Sequence, residues 1–279
     1  MADVLADPVV RLRLDLGYDG TDFAGWARQP GLRTVQAVLE EALARALRRP
    51  DPVTVVVAGR TDAGVHARAQ VAHVDVPAGT SVEDLAGLPR RLAGLLPPDV
   101  RVRSVQPAPA GFDARFAALW RRYVYRVCDE PAGPDPLHRR EVLAYARPLD
   151  LGRLRAASAP LVGLHDFAAF CRRRAGATTV RTLLELAWAR GGDGTVEATV
   201  RADAFCHSMV RSLVGALLPV GSGTRPSGWP AEILAGGVRP SSVHVAPAHG
   251  LTLEEVAYPP EAELAAQAAA ARRRREPVD

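Results

Sequence analysis

The sequence contains no lysine and no asparagine, only three cysteines and two methionines, and aromatic residues make up 5% of it. All 35 of its basic residues are therefore arginines. The formal net charge of +4 is too small to name a partner by itself, but guanidinium forks bind phosphate bidentately and stack on bases, which suits contact with nucleic acid. Cys128, Cys171 and Cys206 lie far apart and form no CxxC pair. That pattern fits neither a disulfide frame nor a zinc site, and reads as three small buried residues. No apolar run approaches the ~20 residues that span a bilayer, so no membrane partner is expected. The opening MADVLADPVV has no basic segment leading into an apolar one, so a secretory signal is not expected and a cytoplasmic location is. A P-loop and a GxGxxG turn are also absent, so nothing in the motifs calls for a nucleotide cofactor.

What is present is patterned. Hydrophobic residues form 48% of 279 positions, ample for one large or two smaller domains. In VRLRLDLGY, Val10, Leu12, Leu14, Leu16 and Tyr18 alternate with Arg11, Arg13 and Asp15, the period of a half-buried strand. A Gly-rich loop follows, and Thr34 is placed to cap a helix whose apolar stripe runs through Val35, Val38, Leu39, Ala42, Leu43, Ala46 and Leu47. Strands at VVV and VAHVDV come next. A helix capped by Ser81, with Asp84 at the capping-box position and Leu85, Leu88, Leu92 and Leu95 inward, leads to a strand at VRVRSV. The order β-α-β-β-α-β matches the ferredoxin-like unit. After a long strand, RRYVYRVCD, the second half repeats the arrangement loosely: helix at LGRLRAASAPLVG, strands at VRTLLELAWARG and TVEATVRADAF, helix at CHSMVRSLVGALLPVG, closing strand at HGLTLEEVAYP. The expected organisation is an N-terminal half over 8–108, a C-terminal half over 109–260 and an Ala/Arg-rich tail over 261–279.

Four places carry side chains that a core does not need. VVVAGRTDAGVHARAQVAHV, residues 55–74, interrupts two apolar strands with Arg60 and Asp62. Asp-Ala-Gly makes a turn by bonding its own backbone; alternatively, Arg60 two residues away keeps the carboxylate ionised for chemistry. Asp62 and His66 are four apart, a helical metal spacing, but Gly64 argues against a helix. His73 falls inside a strand and no third ligand is suitably spaced, so both histidines read as satisfied loop or core residues and no metal is expected. Tyr123 and Tyr125 share one face of their strand, with Arg122 and Arg126 on the other. They are either core packing or a stacking platform for a base. Arg211 is a lone charge among Met209, Val210, Leu213, Val214, Leu217 and Leu218, a placement that calls for a fixed partner.

GRTDAGVHA followed by QVAHV, together with YDGTDFAGWARQ, FDARFAALWRRYVYRV and FCHSMVRSLVGALLPVG, resembles the tRNA pseudouridine synthase A (TruA) family. DFAAF at 166–170, VRTL at 180–183 and APAHGLTLEEVAY at 246–258 extend the resemblance in order over nearly the whole chain. Two positions depart from it: Ala93 stands where an asparagine is usual and Asp113 where a histidine is common, and the tail has no counterpart. The resemblance implies the pseudouridine synthase fold, an α+β arrangement of two ferredoxin-like, RRM-like halves sharing a mixed, mainly antiparallel sheet flanked by helices.

The same resemblance implies a function: isomerisation of uridines 38, 39 and 40 in the anticodon stem-loop of tRNA, by a homodimer and without a cofactor. Asp62 takes the place of the essential carboxylate, Tyr123 that of the tyrosine stacking on the target uracil, and Arg211 that of the basic residue pairing with the aspartate. Arg60 orders the loop or contacts the flipped nucleotide. Arg28, Arg33, Arg172, Arg173 and Arg174 are candidates for phosphate contacts, or else solvated surface arginines. The reaction breaks the N1–C1′ bond, turns the uracil and rebonds through C5. It involves neither redox nor phosphate activation, and Asp62 serves it by attacking C1′, adding to the ring or abstracting a sugar proton. Two other readings compete: a non-catalytic RNA-binding protein of paired ferredoxin-like units, which leaves Asp62 without a role, and a metal-dependent hydrolase using Asp62 and His66.

Overall fold

The computed structural model describes residues 9–50, 53–80, 85–172 and 178–273. The chain divides into two compact units, the first comprising Met1–Ala63, Ala67–Ala118 and Tyr258–Arg272, the second Gly64–His66, Leu119–Ala257 and Arg273–Asp279.

The first unit runs β1 (Val9–Tyr18), α1 (Val35–Ala46), β2 (Val55–Val57), β3 (His66–Pro77), α2 (Leu88–Leu95) and β4 (Val100–Pro107). Its strands are all antiparallel, in the order β4-β1-β3 with β2 against β3. That order, 4-1-3-2, is the ferredoxin-like one. Alternation in β1 is as expected: Leu12, Leu14 and Leu16 are fully buried, each worth roughly 1.5–3 kcal/mol of apolar burial. Arg11 and Arg13 on the opposite face pair with Asp75 and Asp15. Thr34 caps α1 by accepting from the Ala37 N–H at 3.3 Å, and Val35, Leu39, Ala42, Leu43 and Ala46 form the buried stripe. In α2, Leu88 and Leu92 are buried; Ser81 and Asp84, expected to cap it, lie outside the described residues.

The second unit runs β5 (Trp120–Cys128), β6 (Leu143–Ala144), α3 (Leu151–Ser158), β7 (Gly163–Asp166), β8 (Val180–Arg190), β9 (Val196–Ala202), α4 (Met209–Gly221), α5 (Trp229–Ala235) and β10 (Leu251–Ala257). The strand order is β10-β5-β9-β8-β7, antiparallel throughout, with β6 parallel to β5. Without β6 and β7 this is again 4-1-3-2, so the looser repetition expected of the second half is a true repetition of topology. A last helix, α6 (Leu264–Arg272), belongs to the first unit and buries Leu264 and Ala268.

Several boundaries differ from the sequence reading. Strand β3 begins at His66 rather than Val71, because Ala67 and Gln70 pair with Tyr18 and Leu16 across a register shift that absorbs the irregular pattern. Helix α3 stops at Ser158 and gives way to a 3₁₀ turn over Ala159–Leu161, since Pro160 has no N–H to continue it. Helix α4 begins at Met209, not Cys206, after Ser208 turns through a left-handed conformation with φ of 64°. Helix α5, seven residues with Pro230 in its first turn, is too short to register as periodic.

Candidate active site

In the first unit, Arg60 and Asp62 stand on the loop between β2 and β3. Arg60 is exposed and Asp62 half-buried. The loop leaves the ladder at Ala58, whose N–H donates to the Val71 carbonyl at 2.8 Å. Gln70, fully buried, donates from Nε2 to the Gly59 carbonyl at 2.8 Å and to the Tyr18 hydroxyl at 3.2 Å. The Tyr18 oxygen therefore accepts from Gln70 and shares a hydrogen bond with Thr61 Oγ1, 2.8 Å away. Burial pushes the Tyr18 phenol up to about 12, so it stays protonated.

The segment after β1 closes over the same loop. The Trp26 N–H donates to the Thr61 carbonyl at 3.0 Å. Gly25 has φ of +101°, and a Cβ there would lie 3.0 Å from Thr61 O and 3.2 Å from Asp62 C. The Gly25 carbonyl in turn accepts from Val35 N–H and that of Trp26 from Gln36 N–H, tying the loop to the start of α1. The loop carrying Asp62 is thus held by Gln70 at the Gly59 carbonyl, by Tyr18 at the Thr61 side chain and by Trp26 at the Thr61 carbonyl, with Gly25 packed against it. Of these residues, the sequence reading named only Tyr18, as part of the strand alternation, although Tyr18, Gly25, Trp26 and Gln70 all lie within the quoted motifs.

In the second unit, Tyr123 and Tyr125 share a face of β5, both are buried, and their contacts differ. Tyr125 is fully buried, its hydroxyl donates to the Pro247 carbonyl at 2.8 Å, and Gly250 lies so close that a Cβ would meet the ring at 2.6 Å. It is core. Tyr123 sits opposite Val200 and Leu253 on the neighbouring strands and meets the Phe205 ring edge-on at 5.1 Å. Arg122 and Arg126, on the other face, are bound to Glu255 and to Glu197 and Glu254.

Arg211 lies in the first turn of α4, half-buried among Met209, Val210, Leu213 and Val214. Its Nε donates to the Ala246 carbonyl at 2.7 Å, while the Ala246 N–H donates back to the Arg211 carbonyl at 3.0 Å. The strap carrying Ala246 lies directly on Gly215, where a Cβ could not fit beneath the His244 carbonyl. A cation in the first turn opposes the helix dipole, which prefers anions there by about 0.3–1 kcal/mol.

The remaining expectations divide. Arg33 forks onto Asp99 at 2.8 and 2.9 Å with its guanidinium 3.9 Å above Phe23. Arg28 bonds Glu40 at 2.8 and 3.1 Å; Glu40, itself buried, also accepts from Gln36 and the Val55 N–H. Both arginines therefore have internal carboxylate partners. Arg172 is exposed, and Arg173 and Arg174 lie outside the described residues. His66 Nε2 meets the Arg140 carbonyl at 2.7 Å and His73 Nδ1 accepts from the Ala114 N–H at 3.0 Å, so each imidazole has a backbone partner. The cysteines correct the reading of three isolated residues. Cys171 and Cys206, 35 positions apart, are paired as a disulfide with Cα atoms 5.8 Å apart, and Cys128 is free and buried. The Arg172 N–H bonds the His207 carbonyl, a juxtaposition of two loops that linear spacing does not reveal.

The profile of a family described as tRNA pseudouridine synthase matches residues 17–117 and 157–259. Arg60, Asp62 and Arg211 fall within those segments and Tyr123 between them. The chain is 59% identical over 273 residues to a Streptomyces griseus protein named tRNA pseudouridine synthase A, an alignment covering 98% of this chain and 96% of that one. It is 62% identical over 264 residues to a protein of the same name from Frankia casuarinae, covering 95% of each. A Mycobacterium leprae protein of that name is 53% identical over 271 residues, covering 93% of each.

Proposed function

This chain belongs to the tRNA pseudouridine synthase A family, and on that premise we propose that it acts on uridines 38, 39 and 40 of the tRNA anticodon stem-loop, with Asp62 as the nucleophile. Conversion of uridine to pseudouridine in tRNA comes with the family; the positions and the residue roles are our reading.

The observation that carries the Asp62 assignment is the loop around it. Gln70 and Trp26 bond the Gly59 and Thr61 carbonyls, Tyr18 bonds the Thr61 side chain and Gly25 packs against Thr61–Ala63, which is the preorganisation a reacting carboxylate needs. A stacked base is out of reach, so the uridine is extruded first, at a cost of a few kcal/mol. Tyr123 offsets part of that by stacking, at roughly 1–3 kcal/mol per base, with Phe205 holding its ring. Asp62 then takes C1′ as N1 leaves; the uracil turns, C5 displaces the carboxylate from C1′, and the C5 proton is lost while N1 gains one. Arg211 takes the role of the basic partner of that carboxylate in this reading. Its cost to α4 is consistent with service to an anion rather than to the helix.

We also infer a cytoplasmic homodimer, with one tRNA contacting both subunits. Arg172 remains a candidate phosphate contact, whereas Arg28 and Arg33 would first have to release Glu40 and Asp99.

Tritium release from tRNA transcribed with 5-tritiated uridine tests the reading. Wild-type protein should release tritium, and Asp62→Asn should release none while binding tRNA with unchanged affinity. A pure RNA-binding module would release none in either form. Sequencing of the product locates the positions, and light scattering of the free protein gives its oligomeric state.

A further inference from the structure

The first unit carries a second concentration of arginine that none of the chemistry above uses. Helices α1 and α2 pack side by side, and at one end they leave an open groove of about 640 Å³ lined by Arg45, Arg48, Arg90 and Arg91, with Gly87 and Gly94 among its other lining residues. No carboxylate lines it among the described residues. Arg45, Arg48 and Arg90 are exposed. Nothing lies within 4 Å of where a Gly94 Cβ would be, so the groove is open on that side. Elsewhere in this unit Arg11, Arg28 and Arg33 each meet a carboxylate at 2.7–2.8 Å.

Arg48 gives the second, independent observation. Helix α1 ends in a Schellman turn: the Arg48 N–H bonds the Arg45 carbonyl at 3.1 Å and the Arg49 N–H bonds the Ala44 carbonyl at 2.8 Å. The residue at the pivot of that turn must adopt a left-handed conformation and is usually glycine. Here it is arginine, with φ of 52°. Only Arg48 and Ser208 combine a side chain with positive φ among the described residues. The sequence holds 24 glycines and uses them at other left-handed positions, Gly25, Gly31 and Gly64 among them. A side chain kept where glycine is easier points to a use for that side chain.

We propose that this groove is a second RNA contact, binding the phosphodiester backbone of a tRNA arm other than the stem-loop that enters the catalytic site. The proposal rests on the tRNA substrate inferred above, and it concerns affinity, not chemistry. Three exposed guanidinium groups around an open groove, those of Arg45, Arg48 and Arg90, match a duplex backbone, whose phosphates bind arginine forks bidentately. Each phosphate neutralised releases a counterion, so the groove contributes a salt-dependent share of binding.

The test compares whole tRNA with an isolated anticodon stem-loop, using wild-type protein and a triple variant, Arg45→Gln, Arg48→Gly, Arg90→Gln. For whole tRNA the variant should bind about tenfold more weakly at physiological salt, and the slope of log K against log salt should shrink by about 2–3. For the stem-loop, affinity and the single-turnover rate should match wild type. Arg48→Gly alone discriminates further: relieving the left-handed strain should raise the melting temperature while whole-tRNA affinity falls. A variant that binds whole tRNA as wild type does, with the same salt slope, overturns the groove. Equal weakening toward both RNAs also overturns it, because the effect would then be general electrostatics. Failure of wild-type protein to release tritium from either RNA would instead overturn the catalytic reading.

Discussion

A methyl group placed on Gly25 would lie 3.0 Å from the Thr61 carbonyl, 3.1 Å from the Ala63 nitrogen and 3.2 Å from the Asp62 carbonyl carbon, at a φ of +101° that side chains avoid. All three atoms are backbone, so the loop itself must move. Gly25→Ala should cost about 1–3 kcal/mol of stability, seen as a lower melting temperature, and should reduce tritium release well beyond any loss of tRNA affinity. A variant that melts earlier but reacts normally would show that the loop tolerates displacement and that Asp62 needs no such fixing. The residues themselves were legible in the sequence: Arg60 and Asp62 interrupt a strand pattern and Arg211 interrupts an apolar helix. Their supports were not. Gln70 reads as one more polar residue in a strand, and only the pairing of β3 with β1 reveals that its amide spans Gly59 and Tyr18. The different contacts of Tyr123 and Tyr125 were equally hidden, since alternation gives both the same buried face and only the structure sets Tyr125 against Gly250 and Pro247 and Tyr123 against Phe205.

At the scale of elements, α4 holds its charge because the strap at 244–246 crosses it. A Cβ on Gly215 would collide with the His244 carbonyl, and the next contact is the Ala246 nitrogen at 3.2 Å. Gly215→Ala should push the strap off the helix and release the Ala246 carbonyl from the Arg211 guanidinium. The expected loss is about 1–3 kcal/mol of stability, as for other overpacked cores, with a larger fall in tritium release than the Gly→Ala change would cause on an exposed helix face. Retained activity would mean that Arg211 is positioned by its own packing. Helix α6 shows a different coupling. Asp113 accepts from the Arg115 and Phe116 N–H groups at 2.9 Å and from the Arg272 guanidinium at 2.8 Å, and Gly111 lets Ala265 approach where a Cβ would sit 2.7 Å away. Two of the three departures from the family pattern, Asp113 and the tail, are therefore partners. Arg272 is exposed, so Arg272→Ala should cost well under 1 kcal/mol, whereas Asp113→Ala, which also removes the turn's two hydrogen bonds, should cost about 1–2 kcal/mol. Equal effects in thermal melts would contradict that division. Long periodic elements such as β1 and α1 were legible; α5 and the onset of α4 were not, because a seven-residue helix shows barely two turns and Ser208 looks from sequence like any other helix residue.

For the whole molecule, topology repeats where sequence does not. Both units have the 4-1-3-2 antiparallel order, legible in the first half from element sequence and obscured in the second by the inserted β6 and β7. Each unit also buries titratable groups whose neutral forms the fold prefers, and these set its stability against pH. Burial raises the Tyr18 phenol from 10.0 to about 12 and raises Tyr125 as well. A raised phenol contributes stability that is complete below the unfolded value and is lost as pH climbs from 10.0 toward 12; for Tyr18 that is about 3 kcal/mol. On the acid side, burial lowers His73, aided by the nearby Arg11, and lowers His249, aided by His66. Their contribution is present above the ordinary value of 6.5 and is lost as pH falls below it, when the unfolded chain takes up protons first. His73 has a specific reason to resist: its Nδ1 accepts the Ala114 N–H, and a proton there would set donor against donor. Melting temperature should therefore be flat from about pH 7 to 9, decline from below 7 before carboxylates titrate, and decline again above 10. His73→Gln, which keeps an acceptor without a titrating group, should shallow the acid decline, and Tyr18→Phe should shallow the alkaline one at the cost of the Thr61 bond. An acid limb unchanged by His73→Gln would assign the decline to His249 and the carboxylates instead.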